Sequence, residues 1–494
     1  MEIDFVDNEI SISQHPVTQR KRIRLVDDAH PFDLDAYISG YSGRTAFDRL
    51  VHIISTCPAV APQALKLAFA QIEGLRDPSL YQTAMNAYDA VADLPDVQLP
   101  PVSDVCLVNT AWCEGVAKKN QAERTKLEVE LKTYSNNMIK ESIRMGHRDL
   151  GDFYRATGDY TQALKHYTKS REFCSTSQHV LDMCLSVLEL VIEQRNYAHI
   201  SSYIFKAEGA LDAAATAAAS NTASSSGGNS TTPVLKRSSE RDQVQPKLDF
   251  AMALSHLGQA NYEKAAHFFL KVGPSDSLGD WIGKASEILF PLLAPGDIAI
   301  YGTLCALASM SRSAIKSQLA GNAIFSAYIE QEPYVRELIQ SYLSSDFKNV
   351  LELLERYSTR HYVDIHLYPH VYDLTNLIRN VAVVLYFQPF QTIRLDRMSA
   401  AFGWTVEEVE KEVVALIQSG QIQGRVDSQN KILKARKVDH RAELFAHAIK
   451  TADEIQSTNR KLLLRMRLQQ ADLVVKPPKS RRDQDRTMEF LQGD

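Results

Sequence analysis

The sequence has no CxxC pair, and its six cysteines (Cys57, Cys106, Cys113, Cys174, Cys184 and Cys305) fall at irregular intervals. That scatter argues against a disulfide framework or a zinc ribbon. It predicts reduced, mostly buried thiols in a protein of the cytoplasm and nucleus. Long apolar runs are missing too. The best candidate, Ile298–Met310, is interrupted by Gly302 and Ser309 and falls well short of the ~20 apolar residues that span a bilayer. It reads as a buried helix, and no membrane partner is expected. The opening stretch, MEIDFVDNEISIS, carries early acids and no apolar core, so no secretory signal is expected there.

Catalytic grammar is equally scarce. Neither GxGxxG nor GxxxxGK[ST] occurs to cradle phosphates, and no GxSxG elbow presents a serine nucleophile. HExxH is absent, and none of the 14 histidines forms an HxH pair. The one histidine cluster is His361, His366 and His370, with Asp364 nearby. His366 and His370 have i,i+4 spacing, but Pro369 between them argues against a regular helix, and no cysteine follows at ligand spacing. These read as partly buried loop histidines. No catalytic residue, cofactor or metal site is assigned.

With 494 residues, the chain exceeds what one hydrophobic core usually organises. Its formal net charge of −5 disfavours a general nucleic-acid binder. Residues 1–30 read as a flexible tail, and their basic cluster (Arg20, Lys21, Arg22, Arg24) as a solvated charge run. From 31 to 208 helix formers dominate. Apolar residues recur at helical spacing, as in Leu50, Ile53, Ile54 and Cys57, and prolines punctuate the segments.

A repeat is visible. Gly158-Asp159-Tyr160 leads to Ala163 and Tyr167, Arg195-Asn196-Tyr197 to Ile200 and Ile204, and Ala260-Asn261-Tyr262 to Ala265 and Phe269. Each polar residue before a tyrosine opens a helix that buries the positions three and seven residues after that tyrosine. Leu150, Gly151 and Tyr154 complete a tetratricopeptide-like first copy. Residues 209–243, rich in Ala, Ser, Thr and Gly, read as a disordered insert whose removal restores a period of about 34 residues. Residues 244–370 continue the repeats.

Near residue 390 the pattern changes. A short helix over Leu395–Phe402 ends at Gly403, and Thr405-x-x-Glu408 is a capping box for the next helix. That helix has Val406, Val409, Val413, Leu416 and Ile417 on one face and stops at Gly420. Two strand-like runs follow, Ile422–Val426 and Lys431–Ala435. Residues 371–436 are therefore expected to form a winged helix. Its second helix carries Glu407, Glu408, Glu410 and Glu412 against a single Lys411, which would repel phosphate, so no specific nucleic acid is expected as partner. The hairpin edge is a candidate protein-binding site, through Arg425, Asp427, Ile432 and Leu433. Residues 437–473 form a long helix. Phe445, Ala448, Ala452, Ile455, Asn459, Leu462, Met466 and Leu473 lie on a heptad-like seam, of which Phe445, Ile455, Asn459, Leu462 and Met466 are candidate partner contacts. The seam fits either a bundle with other chains or packing back on the chain's own domain. Residues 474–494 read as a disordered tail.

The fold class is thus mainly α: a right-handed helical-repeat solenoid, a winged helix and a long C-terminal helix. Repeats leading into a winged helix resemble the PCI family, shared by the proteasome lid, the COP9 signalosome and a translation initiation factor. Longer blocks are similar to the signalosome's subunit-one family. They are Tyr41-Ser42-Gly43-Arg44 through Asp48-Arg49-Leu50, Cys57-Pro58, Ala64-Leu65-Lys66, Pro369-His370-Val371, Leu377-Ile378-Arg379-Asn380, Tyr386-Phe387-Gln388-Pro389, Arg397–Phe402 and the wing. The similarity runs from about 31 to 470, and the 209–243 insert and the tails depart from it. The resemblance implies a non-catalytic scaffold in a complex that removes a ubiquitin-like modifier from cullins through a metalloprotease in another subunit. The implied partners are other PCI subunits, metalloprotease-type subunits and cullin-RING ubiquitin ligases. The alternatives are the homologous proteasome-lid subunit and a winged-helix nucleic-acid regulator.

Overall fold

A computed structural model describes residues 30–94, 97–223, 232–281, 291–436 and 440–473. Both tails, with the basic cluster at 20–24, lie outside the described residues. The chain divides into two compact units, one up to residue 422 and one from residue 423.

The first unit is built from helix pairs whose connecting turns share one geometry. Gly158, Arg195, Ala260 and Ser345 all adopt positive φ, between 57° and 85°. The amide following each of them, on Asp159, Asn196, Asn261 or Asp346, donates to a carbonyl five residues back. The left-handed residue itself donates to the carbonyl three residues back. This is the Schellman arrangement, which satisfies the otherwise orphaned carbonyls at a helix end. The Asp159, Asn261 and Asp346 side chains then cap the next helix. The anticipated positions Ala163, Tyr167, Ile200, Ile204, Ala265 and Phe269 are all buried. A fourth copy, Ser345-Asp346-Phe347, has phenylalanine in place of tyrosine and buries Val350 and Leu354.

The insert differs from the expectation of disorder over most of its length. Helix Tyr197–Ala223 runs into it, and helix Thr232–Gly258 emerges from it, with 224–231 outside the described residues. Alanine has the highest helix propensity, so an Ala-rich continuation of a packed helix extends it without needing apolar burial.

Two other features position the functional groups. Helix Gly43–Thr56 buries Phe47, Leu50, Ile53 and Ile54 in an N-terminal core that also takes in Val363 from far along the chain. Helix Pro295–Ser309 is buried on every side from Gly296 to Ala308, in keeping with its mostly apolar sequence. No described helix is long and apolar enough to cross a membrane. The first unit ends with strand Thr392–Arg394, helix Leu395–Phe402 and helix Val406–Gln418. Thr405 and Glu408 form the anticipated capping box. The second unit opens with an antiparallel hairpin, Gly424–Asp427 against Ile432–Ala435, and continues as helix His440–Gln470.

Gly151 tests the repeat packing. A Cβ there would lie 2.5 Å from the ring of Tyr167, which is buried and anchored through its hydroxyl to Asp152 at 2.6 Å. The helix-propensity gain of alanine, ~1 kcal/mol, is smaller than the ~1–3 kcal/mol typical of overpacking. Gly151→Ala is therefore expected to lower the urea midpoint; an unchanged or raised midpoint would show that the ring can move aside.

Candidate interaction site

Sequence reasoning put possible chemistry at His361, His366, His370 and Asp364. The structure brings all four into one buried segment, 357–370, and gives each a tyrosine partner. Tyr334 meets His361 Nε2 at 3.0 Å, Tyr197 meets His366 Nδ1 at 2.6 Å, and Tyr262 meets His370 Nδ1 at 3.3 Å. Tyr301 donates to Asp364 at 2.5 Å. Tyr197 and Tyr262 are the tyrosines that open the second and third repeat helices. Segment 357–370 thus packs along successive repeats and reads their conserved geometry through hydroxyls. Among the described residues, no group of three or more His, Cys, Asp or Glu side chains could hold a metal ion.

At the centre of this segment lies a guanidinium. Arg49 is wholly buried and reaches Asp364 at 2.6 Å and Asp297 at 3.1 Å, residues 315 and 248 positions away. It also donates to the Tyr37 hydroxyl at 2.5 Å and lies 4.1 Å over the Tyr41 ring. Tyr41 in turn donates to Asp297, and Arg360 bridges Asp297 and Glu332 at 2.9 and 3.1 Å. Asp364 accepts two further bonds from the amides of His366 and Leu367. Burial opposes ionisation of Asp364, but the charge and hydrogen bond of Arg49, with His366 and the Tyr301 hydroxyl, together outweigh it and hold the carboxyl well below the usual carboxylate range. On the imidazoles burial prevails over the opposing pull of Asp364, pushing His361 down to about 3, and His366 and His52 down to about 4. These histidines are neutral, hydrogen-bonded parts of the interior.

The surface candidates lie in the wing and the terminal helix. Arg425 is exposed on the hairpin. Asp427 is engaged in the turn, accepting from the Asn430 amide at 3.2 Å and from its side-chain nitrogen at 2.9 Å. Ile432 is half-buried, and Leu433 is fully buried. Leu433 therefore packs inward as every second strand residue must, and its side chain is not offered to a partner. The acidic helix holds its charge outward at Glu407 and Glu408, while Glu412 pairs with Arg379 at 3.3 Å.

Helix His440–Gln470 has no buried residue among those described. Phe445 is 69% exposed, Ile455 56%, Leu462 51% and Met466 63%, and Asn459 is exposed beside them. Among the described residues nothing covers this apolar seam.

Two family descriptions match the chain: "26S proteasome subunit RPN7" over residues 109–318 and "PCI domain" over residues 348–437. COP9 signalosome complex subunit 1 of Arabidopsis thaliana is 35% identical over 90% of this chain and 91% of its own length. Subunit 1b of Drosophila melanogaster is 32% identical over 96% and 91%. The chain belongs to the COP9 signalosome subunit 1 family. By contrast, the 26S proteasome non-ATPase regulatory subunit 6 of Oryza sativa is 23% identical over only 41% of the chain. Family membership supports a signalosome subunit with a PCI domain, of the non-catalytic kind.

Sequence reasoning missed Arg49, Asp297, Tyr301 and Arg360 as members of the polar centre. A signal existed for the first: Arg49 lies three residues after Ala46 and four before Ile53, on a face that is otherwise apolar. A charged residue at such a position must find a buried counter-ion.

The neutral histidines set a pH dependence. Unfolding restores their pKa to ~6.5, so the unfolded chain binds more protons between that value and about 4, and stability falls as the pH drops through this window. Asp364, depressed when folded, adds its own loss only below the unfolded carboxyl value of ~3.9. The urea midpoint should therefore fall between pH 6.5 and 4.5. A His366→Gln variant should have a shallower dependence, by up to ~1.4 kcal/mol per pH unit. An identical slope would place the titrating group elsewhere.

Proposed function

We propose that this chain is a non-catalytic scaffold of the COP9 signalosome in the cytoplasm and nucleus. It supports assembly of a complex that removes a ubiquitin-like modifier from cullins and so regulates cullin-RING ubiquitin ligases, with the metalloprotease in another subunit. The observation that carries the reading is the terminal helix: four large apolar side chains of one seam are each more than half exposed. Burying such a seam is worth roughly 25 cal/mol per Å² of apolar surface, and helices of neighbouring subunits would supply that surface. The wing adds a second contact, through exposed Arg425 and the backbone of strand Gly424–Asp427. A nucleic-acid regulator is disfavoured because the groove-entering helix exposes Glu407 and Glu408.

Affinity purification of the tagged full chain, with mass spectrometry at moderate salt, tests the proposal. Other PCI subunits, a metalloprotease subunit and cullins are expected to co-elute, and Phe445→Asp combined with Leu462→Asp should lose them while circular dichroism stays unchanged. Proteasomal ATPases in the eluate, or undiminished recovery with the double variant, would contradict it.

A further inference from the structure

The four Schellman turns differ at one position. Three of them place a small residue, Gly158, Ala260 or Ser345, in the left-handed conformation, whereas the second places Arg195 there at φ 59°. Glycine adopts this conformation without steric cost, while any residue with a Cβ incurs a penalty; the turn uses only the backbone of Arg195 and leaves the guanidinium without a role in it. Arg195 also lines a cleft of about 400 Å³ between the helix Gly43–Thr56 and the segment 365–369. The cleft is walled by His52, Tyr197, Ile365, Tyr368 and Pro369. A smaller recess on the other side of Arg195 reaches Arg44, Asp48 and Glu193.

The charges around the cleft cancel in pairs, except one. Arg44 bonds Asp48 and Asp77, both at 3.1 Å. Arg155 holds Glu189 at 2.7 Å and Glu193 at 2.5 Å. His52 lends its Nε2 to the Tyr362 carbonyl at 3.1 Å and is neutral. Arg195 makes no ion pair or side-chain hydrogen bond with any described residue. An exposed guanidinium at the mouth of an aromatic-walled cleft can bind a carboxylate bidentately while the rings receive an adjacent apolar group.

We propose that this cleft is a docking site for an acidic peptide segment in which Asp or Glu adjoins a bulky apolar residue. The carboxylate is held by Arg195, and the apolar side chain lies against Tyr197, Tyr368 and Pro369. A polyanion such as nucleic acid fits poorly, because one guanidinium offers no row of cations for successive phosphates. The cleft volume accommodates a few side chains of a short linear segment and lies within the range of ordinary ligand pockets. The site is separate from the wing and the terminal helix, and its occupancy does not depend on the scaffold reading.

Fluorescence anisotropy with the full chain tests this. The probes are a rhodamine-labelled peptide, Gly-Ser-Leu-Glu-Phe-Asp-Gly-Ser, and its Gln/Asn counterpart. The acidic probe is expected to bind and the neutral one to bind at least about tenfold more weakly, the loss of one charge-assisted hydrogen-bonded pair. Arg195→Gly removes the guanidinium and relieves the turn. It should abolish the preference for the acidic probe while its melting temperature stays at or above that of the parent, and Arg195→Lys should retain part of the preference. Equal binding of the two probes, no binding of the acidic probe, or full acidic preference in a folded Arg195→Gly variant would overturn the proposal.

Discussion

One buried ion-pair network, in which Arg49 is held between Asp297 and Asp364, ties together segments of the first unit that lie far apart in sequence. A guanidinium taken out of water costs several kcal/mol, and only close counter-charges with further hydrogen bonds offset that. The structure supplies both: two carboxylates, the Tyr37 hydroxyl, and second-layer bonds from Tyr41, Tyr301 and Arg360. Such a network adds less net stability than an apolar core of equal volume would. What it fixes is geometry. The helix Gly43–Thr56 can pack only where both Asp297 and Asp364 meet its arginine, so three segments far apart in sequence are held to one register. The guanidinium's planar fork suits this role; an ammonium on the same stem would have a single point of charge for two carboxylates.

From that centre the order extends along segment 357–370. Its histidines and Asp364 take the hydroxyls of Tyr197, Tyr262, Tyr301 and Tyr334, side chains from four different helices of the array. A repeat array in which each unit touched only its neighbours would flex along its length. A segment bonded to several units at once restrains that flexing, and helix Val371–Phe387 continues from it towards the winged-helix elements.

The repeats were legible in sequence because their signal is local: a turn residue, a capping Asp or Asn, and apolar positions three and seven residues after the tyrosine. The fourth copy escaped because Phe347 replaces the tyrosine while the cap and left-handed Ser345 remain. The capping box and hairpin were legible for the same local reason. Strand Thr392–Arg394, only 3 residues long, leaves no alternation to detect. The polar centre was not legible as a centre, since its members are separated by up to 315 residues and nothing local says which carboxylate meets Arg49. The histidines were found as a cluster, but their tyrosine partners were not. In the wing, composition alone could not say that Leu433 faces inward and Ile432 only partly so. The helical backbone across most of 209–243 was misjudged because low apolar content was weighted above alanine's helix propensity.

Native-state hydrogen exchange on helix Gly43–Thr56 and helix Pro295–Ser309 tests most directly whether the Arg49 network joins distant segments into one cooperative unit. If it does, the slowest amides of the two helices open with free energies equal to within about 1 kcal/mol and respond together to added urea. If the Gly43–Thr56 amides open at much lower free energy while those of Pro295–Ser309 stay protected, the network is a local contact and the account of the fold built on it is wrong.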